Sequence, residues 1–88
     1  MVRYRVLVSG RVQGVFFRDT CRRLAGQHGV TGWVRNLPDG RVEAVFEGRD
    51  EDVQAMLDWA RHGPRHAVVD DVAVRAEQPE GLDAFLIR

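Results

Sequence analysis

One cysteine, Cys21, stands among 88 residues, which excludes an internal disulfide framework and any zinc site built on cysteines. There is no net charge, thirteen basic side chains balancing thirteen acidic ones, so no global field draws in nucleic acid or an anionic membrane surface. No apolar run approaches the ~20 residues that span a bilayer, and no signal-peptide pattern opens the chain. The cytoplasm is therefore the expected location. Glycine-rich nucleotide motifs are also missing: no Gly-Lys-Ser/Thr follows the glycine loop, and no GxGxxG occurs. His28, His62 and His66 share no metal-ligand spacing with an acidic or thiol partner. They read as surface or capping residues, and neither metal nor cofactor is expected.

What remains is the composition of a soluble globular protein, 44% hydrophobic and 30% charged, with no internal repeat, linker or low-complexity segment. Residues 1–88 are expected to form a single domain. Val2, Tyr4, Val6 and Val8 alternate with Arg3, Arg5, Leu7 and Ser9, a strand with one strongly apolar face. Phe17, Cys21, Leu24, Ala25 and His28 fall at helical spacing, and Gly29 stops the helix. Val30 to Leu37 and Arg41 to Glu47 read as two strands joined by the Pro38-Asp39-Gly40 turn. A second helix carries Val53, Met56, Leu57 and Ala60 and ends near Arg61-His62, before Gly63-Pro64. Ala67 to Glu77 is a further strand, and Phe85-Leu86-Ile87 a short one that can pair at a sheet edge. The order βαββαβ plus a short C-terminal strand fits an α+β, ferredoxin-like split βαβ sandwich, an antiparallel sheet with both helices on one face. That fold hosts many activities, so it does not supply the function.

The chain is organised around Gly10-Arg11-Val12-Gln13-Gly14-Val15-Phe16-Phe17-Arg18, between the first strand and the first helix. Glycines there let backbone N–H groups converge on an anion, and the helix N-terminus adds unpaired donors and partial positive charge. Arg18 supplies a planar fork of donors suited to phosphate or carboxylate. In the first turn of a helix a cation is mildly unfavourable, by a few tenths of a kcal/mol, and a bound anion reverses that sign. The alternative is a tight connection whose Arg18 points into solvent beside Asp19. Arg11 either adds to the loop's potential or is a solvated charge.

Asn36 is the second residue of interest. Strand alternation places it on the face of Val34, ending an otherwise apolar row, where an amide needs partners. It either serves chemistry or bonds the following turn as a strand-end asparagine. No nucleophile–base pair is present: Ser9 and Thr20 flank the loop without a placed histidine or lysine, and Cys21 falls on the apolar stripe of its helix.

The Gly10–Arg18 stretch, followed by Gly32-Trp33-Val34-Arg35-Asn36-Leu37-Pro38-Asp39-Gly40-Arg41-Val42-Glu43-Ala44, resembles the two signature segments of the acylphosphatases. The resemblance extends over nearly the whole chain, to Gly63-Pro64 and Pro79-Glu80-Gly81. It departs from the pattern at Phe16, where many members carry glycine. It implies metal-independent hydrolysis of a carboxyl-phosphate anhydride to carboxylate and inorganic phosphate. It implies that Arg18 binds the phosphate with the backbone of Arg11, Val12, Gln13, Gly14, Val15, Phe16 and Phe17, and that Asn36 orients the attacking water. The implied partners are a small acyl phosphate and, as product-like ligands, phosphate or sulfate. Nucleic acid and membrane are not expected, and a monomer is.

The chemistry is coherent with these residue types. A carboxylate leaving group needs little general-acid help, while the phosphoryl oxygens need positioning and charge neutralisation. A missing catalytic His, Lys or Cys thus suits an acyl phosphate, whereas it counts against a phosphomonoester hydrolase. The competing classes are binding modules of the same fold. An RNA-recognition sheet wants exposed aromatics on its central strands, and Arg41–Phe46 carries one, facing inward. A metallochaperone wants a Cys-x-x-Cys pair. A phosphate-sensing domain without turnover is the remaining alternative.

Overall fold

A computed structural model describes residues Met1–Arg88. Its elements run β1 (Val2–Arg11), α1 (Phe17–His28), β2 (Thr31–Asn36), β3 (Val42–Gly48), α2 (Asp50–Ala60), β4 (Val68–Glu77) and β5 (Phe85–Ile87). The sheet order is β4-β1-β3-β2-β5. Both helices cover one face, as expected, and a single core forms there. Phe17, Cys21 and Ala25 of α1 and Val53, Met56, Leu57 and Ala60 of α2 meet Val6, Val8, Val34, Val42, Ala44 and Phe46 of the sheet. Gly29 closes α1 in the left-handed conformation, at φ 68°, its N–H donating back to Gly26 O. Burial pushes the Cys21 thiol far up, which keeps it an unreactive core residue. Trp59, which the sequence leaves undecided, tilts against Phe17 with ring centroids 4.8 Å apart.

Two expectations are corrected. The sheet is not wholly antiparallel: β5 pairs parallel with β2, Trp33 lying opposite Leu86. Strand β4 runs antiparallel to β1, so one further reversal leaves β5 running in the direction of β1 and β2. Its connection must cross from one sheet edge to the other. Strand β1 is also longer than its apolar alternation, continuing through Gly10 and Arg11, which pair with Val69 and Val68 beyond a register shift. Gly10 is therefore a strand residue rather than part of the loop. Its φ is 125°, and a Cβ there would lie 2.2 Å from Val68 O, so only glycine lets β4 approach this closely.

The other sheet face is closed by ion pairs. The chain contains no lysine, so all thirteen basic side chains are arginines. Arg3, only 3% exposed, bridges Glu47, Glu77 and Glu80, and Arg5 bridges Glu43 and Glu77. Arg35 holds the other oxygen of Glu43. Trp33 is covered by the guanidinium groups of Arg5, Arg35 and Arg88, each about 5 Å from its ring. Glu47 holds the crossing segment in place. Its carboxylate accepts the N–H groups of Glu80, Gly81 and Leu82 at 2.8, 2.8 and 3.1 Å. Burial pushes the Glu47 carboxyl upward, but these three donors and Arg3 outweigh it and hold the group below its ordinary range.

Candidate active site

Strands β1 and β2 are both antiparallel to β3, so they run in the same direction and their C-terminal ends lie together. Val8, Val42 and Asn36 form one row across the sheet. At the usual strand spacing Asn36 is roughly 10 Å from Val8. The loop that follows β1 and the turn that follows β2 therefore emerge side by side at one end of the sheet.

The side-chain amide of Gln13 joins them, donating to the carbonyls of Leu37 and Arg41. The turn is otherwise self-sufficient. Leu37 N–H donates to Arg41 O at 2.8 Å, Gly40 N–H to Leu37 O at 3.1 Å, and Arg41 N–H to Asp39 Oδ1 at 3.1 Å. Asp39, not Asn36, supplies the side-chain bond to this turn. The half-buried Asn36 side chain is left free to serve a ligand.

The loop divides its side chains from its backbone. Val12, Val15 and Phe17 are buried, so they anchor the loop in the core and offer only their main chain outward. From Val12 to Asp19 the backbone N–H groups donate to no acceptor in the chain, the first bond being Thr20 N–H to Phe16 O at 3.1 Å. Gly14 and Phe16 are left-handed, at φ 73° and 63°. Such turns in the backbone aim successive N–H groups into one concavity. For Phe16 this conformation costs roughly 1–2 kcal/mol. Phe16 is also the helix N-cap, and no side chain caps the first turn, so the donors of the helix N-terminus stay open.

Arg18 is exposed in that first turn. Asp19, the carboxylate that a solvent-facing Arg18 would sit beside, pairs instead with Arg22 at 3.8 Å. Arg11 is exposed at the end of β1, opposite Val68. Open N–H donors, an unpaired guanidinium and a free amide thus gather at one end of the sheet. That set can hold a tetrahedral oxyanion and a water beside it.

The acylphosphatase family model matches residues 4–87. The chain belongs to the acylphosphatase family. It is 58% identical over 86 residues to an acylphosphatase of Haloarcula marismortui, which covers 98% of this chain and 94% of that one. A relative from Trichormus variabilis, also an acylphosphatase, is 57% identical over 88 residues, 100% of this chain and 87% of its own. Among solved structures, the acylphosphatase from Bacillus subtilis superposes with a TM-score of 0.96 at 37% identity, covering 100% of this chain and 99% of that one. The chain is accordingly a hydrolase of acid anhydrides that acts on the carboxyl-phosphate bond, and its substrate is a small-molecule acyl phosphate.

The side chain of Gln13 was not distinguishable in the sequence from its neighbours in the loop. Its signal is a contact between segments 24 residues apart, which no local pattern announces. No helix is long and apolar enough to cross a membrane.

Proposed function

We propose that Arg18 and the open N–H groups from Val12 to Phe17, with Arg11 beside them at the end of β1, seat the phosphoryl group of the substrate, and that Asn36 holds the water that attacks it. The observation that carries this reading is the run of unpaired backbone donors in the loop that Gln13 ties to the turn directly following Asn36. The water oxygen forms a bond to phosphorus, the phosphorus–carboxyl oxygen bond breaks, and the carboxylate leaves with the electron pair. A phosphoryl oxygen of the substrate takes the proton from the water. The guanidinium fork and backbone dipoles neutralise the equatorial oxygens, and they need no reorganisation as charge develops.

No three His, Cys, Asp or Glu side chains gather into a metal-holding cluster, and the proposed steps run through the chain's own groups without a metal. The enzyme is proposed to act in the cytoplasm, as a monomer, on free acyl phosphates. The test is turnover of benzoyl phosphate in chelator-treated buffer, with phosphate as competitive inhibitor. Full activity there and its loss in Arg18→Ala are expected. An enzyme that stays inactive until magnesium or zinc is restored contradicts the proposal.

A further inference from the structure

Phe16 has no structural reason to be phenylalanine. It is the only non-glycine residue with positive φ, at 63°, and its side chain is 76% exposed. The buried neighbours Val15 and Phe17 point into the core, so the loop is already anchored on both sides. Glycine would adopt the same conformation without strain, and an exposed ring returns nothing in packing. A residue that strains the backbone and packs against little of its own chain is accounted for when a ligand supplies the missing contact.

We infer that Phe16 is a specificity-determining residue, its ring forming the apolar wall against which the acyl group of the substrate lies. This rests on the loop being the phosphoryl seat. The N–H of Phe16 belongs to that cradle, so its ring stands on the rim. A substrate whose phosphoryl group fills the cradle must carry its acyl arm outward across the same rim. Val68, 55% exposed and opposite Arg11 at the same end of the sheet, adds apolar surface. The favoured class is acyl phosphates with an aromatic or extended apolar acyl group, over short ones such as acetyl phosphate.

The experiment compares kcat/KM for benzoyl phosphate and acetyl phosphate in the wild type, Phe16→Gly and Phe16→Leu. The benzoyl-to-acetyl ratio falls by about five- to tenfold in Phe16→Gly, as expected for a partly buried apolar contact. Phe16→Leu, which keeps an apolar side chain, lies between the two. The melting temperature of Phe16→Gly is at or above the wild type, because the glycine relieves strain. A ratio unchanged within about twofold, including a common fall for both substrates, overturns the inference and leaves the phosphoryl seat standing. A wild-type protein that turns over neither substrate and binds no phosphate overturns the seat and the inference together.

Discussion

The side-chain amide of Gln13 donates to the carbonyl of Leu37 at 2.8 Å and, with its second proton, to that of Arg41 at 3.0 Å. Those two residues close the turn between β2 and β3, and Leu37 directly follows Asn36. One side chain therefore fixes the distance between the proposed phosphoryl seat and the proposed water site. Gln13 is a positioning residue in this account, acting through the two segments it clamps rather than on the substrate.

Gln13→Ala should lower kcat for benzoyl phosphate by roughly tenfold or more, the cost of a misplaced reacting pair. The stability loss should be about 1–2 kcal/mol for the two hydrogen bonds removed, since the Leu37 and Arg41 carbonyls each keep a backbone N–H donor. Gln13→Glu should not rescue activity, because a carboxylate facing two carbonyls donates nothing. Kinetics below the melting transition check this. A lowered melting temperature with native kcat would reduce Gln13 to a brace for the turn.

Arg18 has no ion-pair partner and lies at the end of α1 that disfavours a cation. Arg18→Ala should therefore leave the melting temperature without ligand unchanged or slightly raised. Phosphate should stabilise the wild type in proportion to its occupancy, and that increment should vanish in Arg18→Ala. Arg18→Lys should restore little of it, since a point charge does not reproduce the planar fork. Melting curves across a phosphate series are the measurement, and an undiminished phosphate shift in Arg18→Ala would remove Arg18 from the seat.

The ion pairs behind the sheet predict the acid limb of stability. Hydrogen bonds from Arg5 and then Arg3 hold the Glu77 carboxyl at about 2, below its ordinary 4.5. A carboxyl depressed on folding contributes stability that is fully present above its unfolded value and lost as pH falls through its folded value. Melting temperature should hold above pH ~5 and decline between about 4.5 and 2. Glu43 and Glu47, also held below their ordinary range against the upward push of burial, add with the same sign. Glu77→Gln should be less stable at neutral pH and show a shallower decline in that window. An unchanged slope would mean that Glu77 is not depressed.

Much of this was legible in the sequence because it is local. Period-two alternation marked the inner face of β1, Pro38-Asp39-Gly40 marked the hairpin, and Gly29 marked the end of α1. The loop residues and Asn36 stood out as donors without nucleophile or base. Local pattern left a solvent-facing Arg18 and a turn-bonding Asn36 open, and only the resemblance to the acylphosphatases gave them expected roles. What lay hidden depends on pairing between distant segments. Gly10 read as loop because its demand for glycine comes from Val68, 58 positions on. Arg3 and Glu47 give no sign in the alternation that they are buried, since each is made tolerable by the other and by the segment from Glu80 to Leu82. The direction of β5 follows from that same crossing segment. For Asn36, alternation supplied the face, but only the shared direction of β1 and β2 placed it beside the loop.

The central claim is a division of labour, phosphoryl binding by the loop and Arg18, water placement by Asn36. It is tested most directly by kcat for benzoyl phosphate in Asn36→Ala, measured with phosphate as competitive inhibitor in the same assay. The account predicts that kcat and kcat/KM fall together by about a hundredfold or more. The phosphate inhibition constant should stay near the wild-type value, and the fold should remain intact because Asp39 holds the turn. An Asn36→Ala protein with native kcat, or one whose phosphate affinity falls as far as its rate, would contradict it.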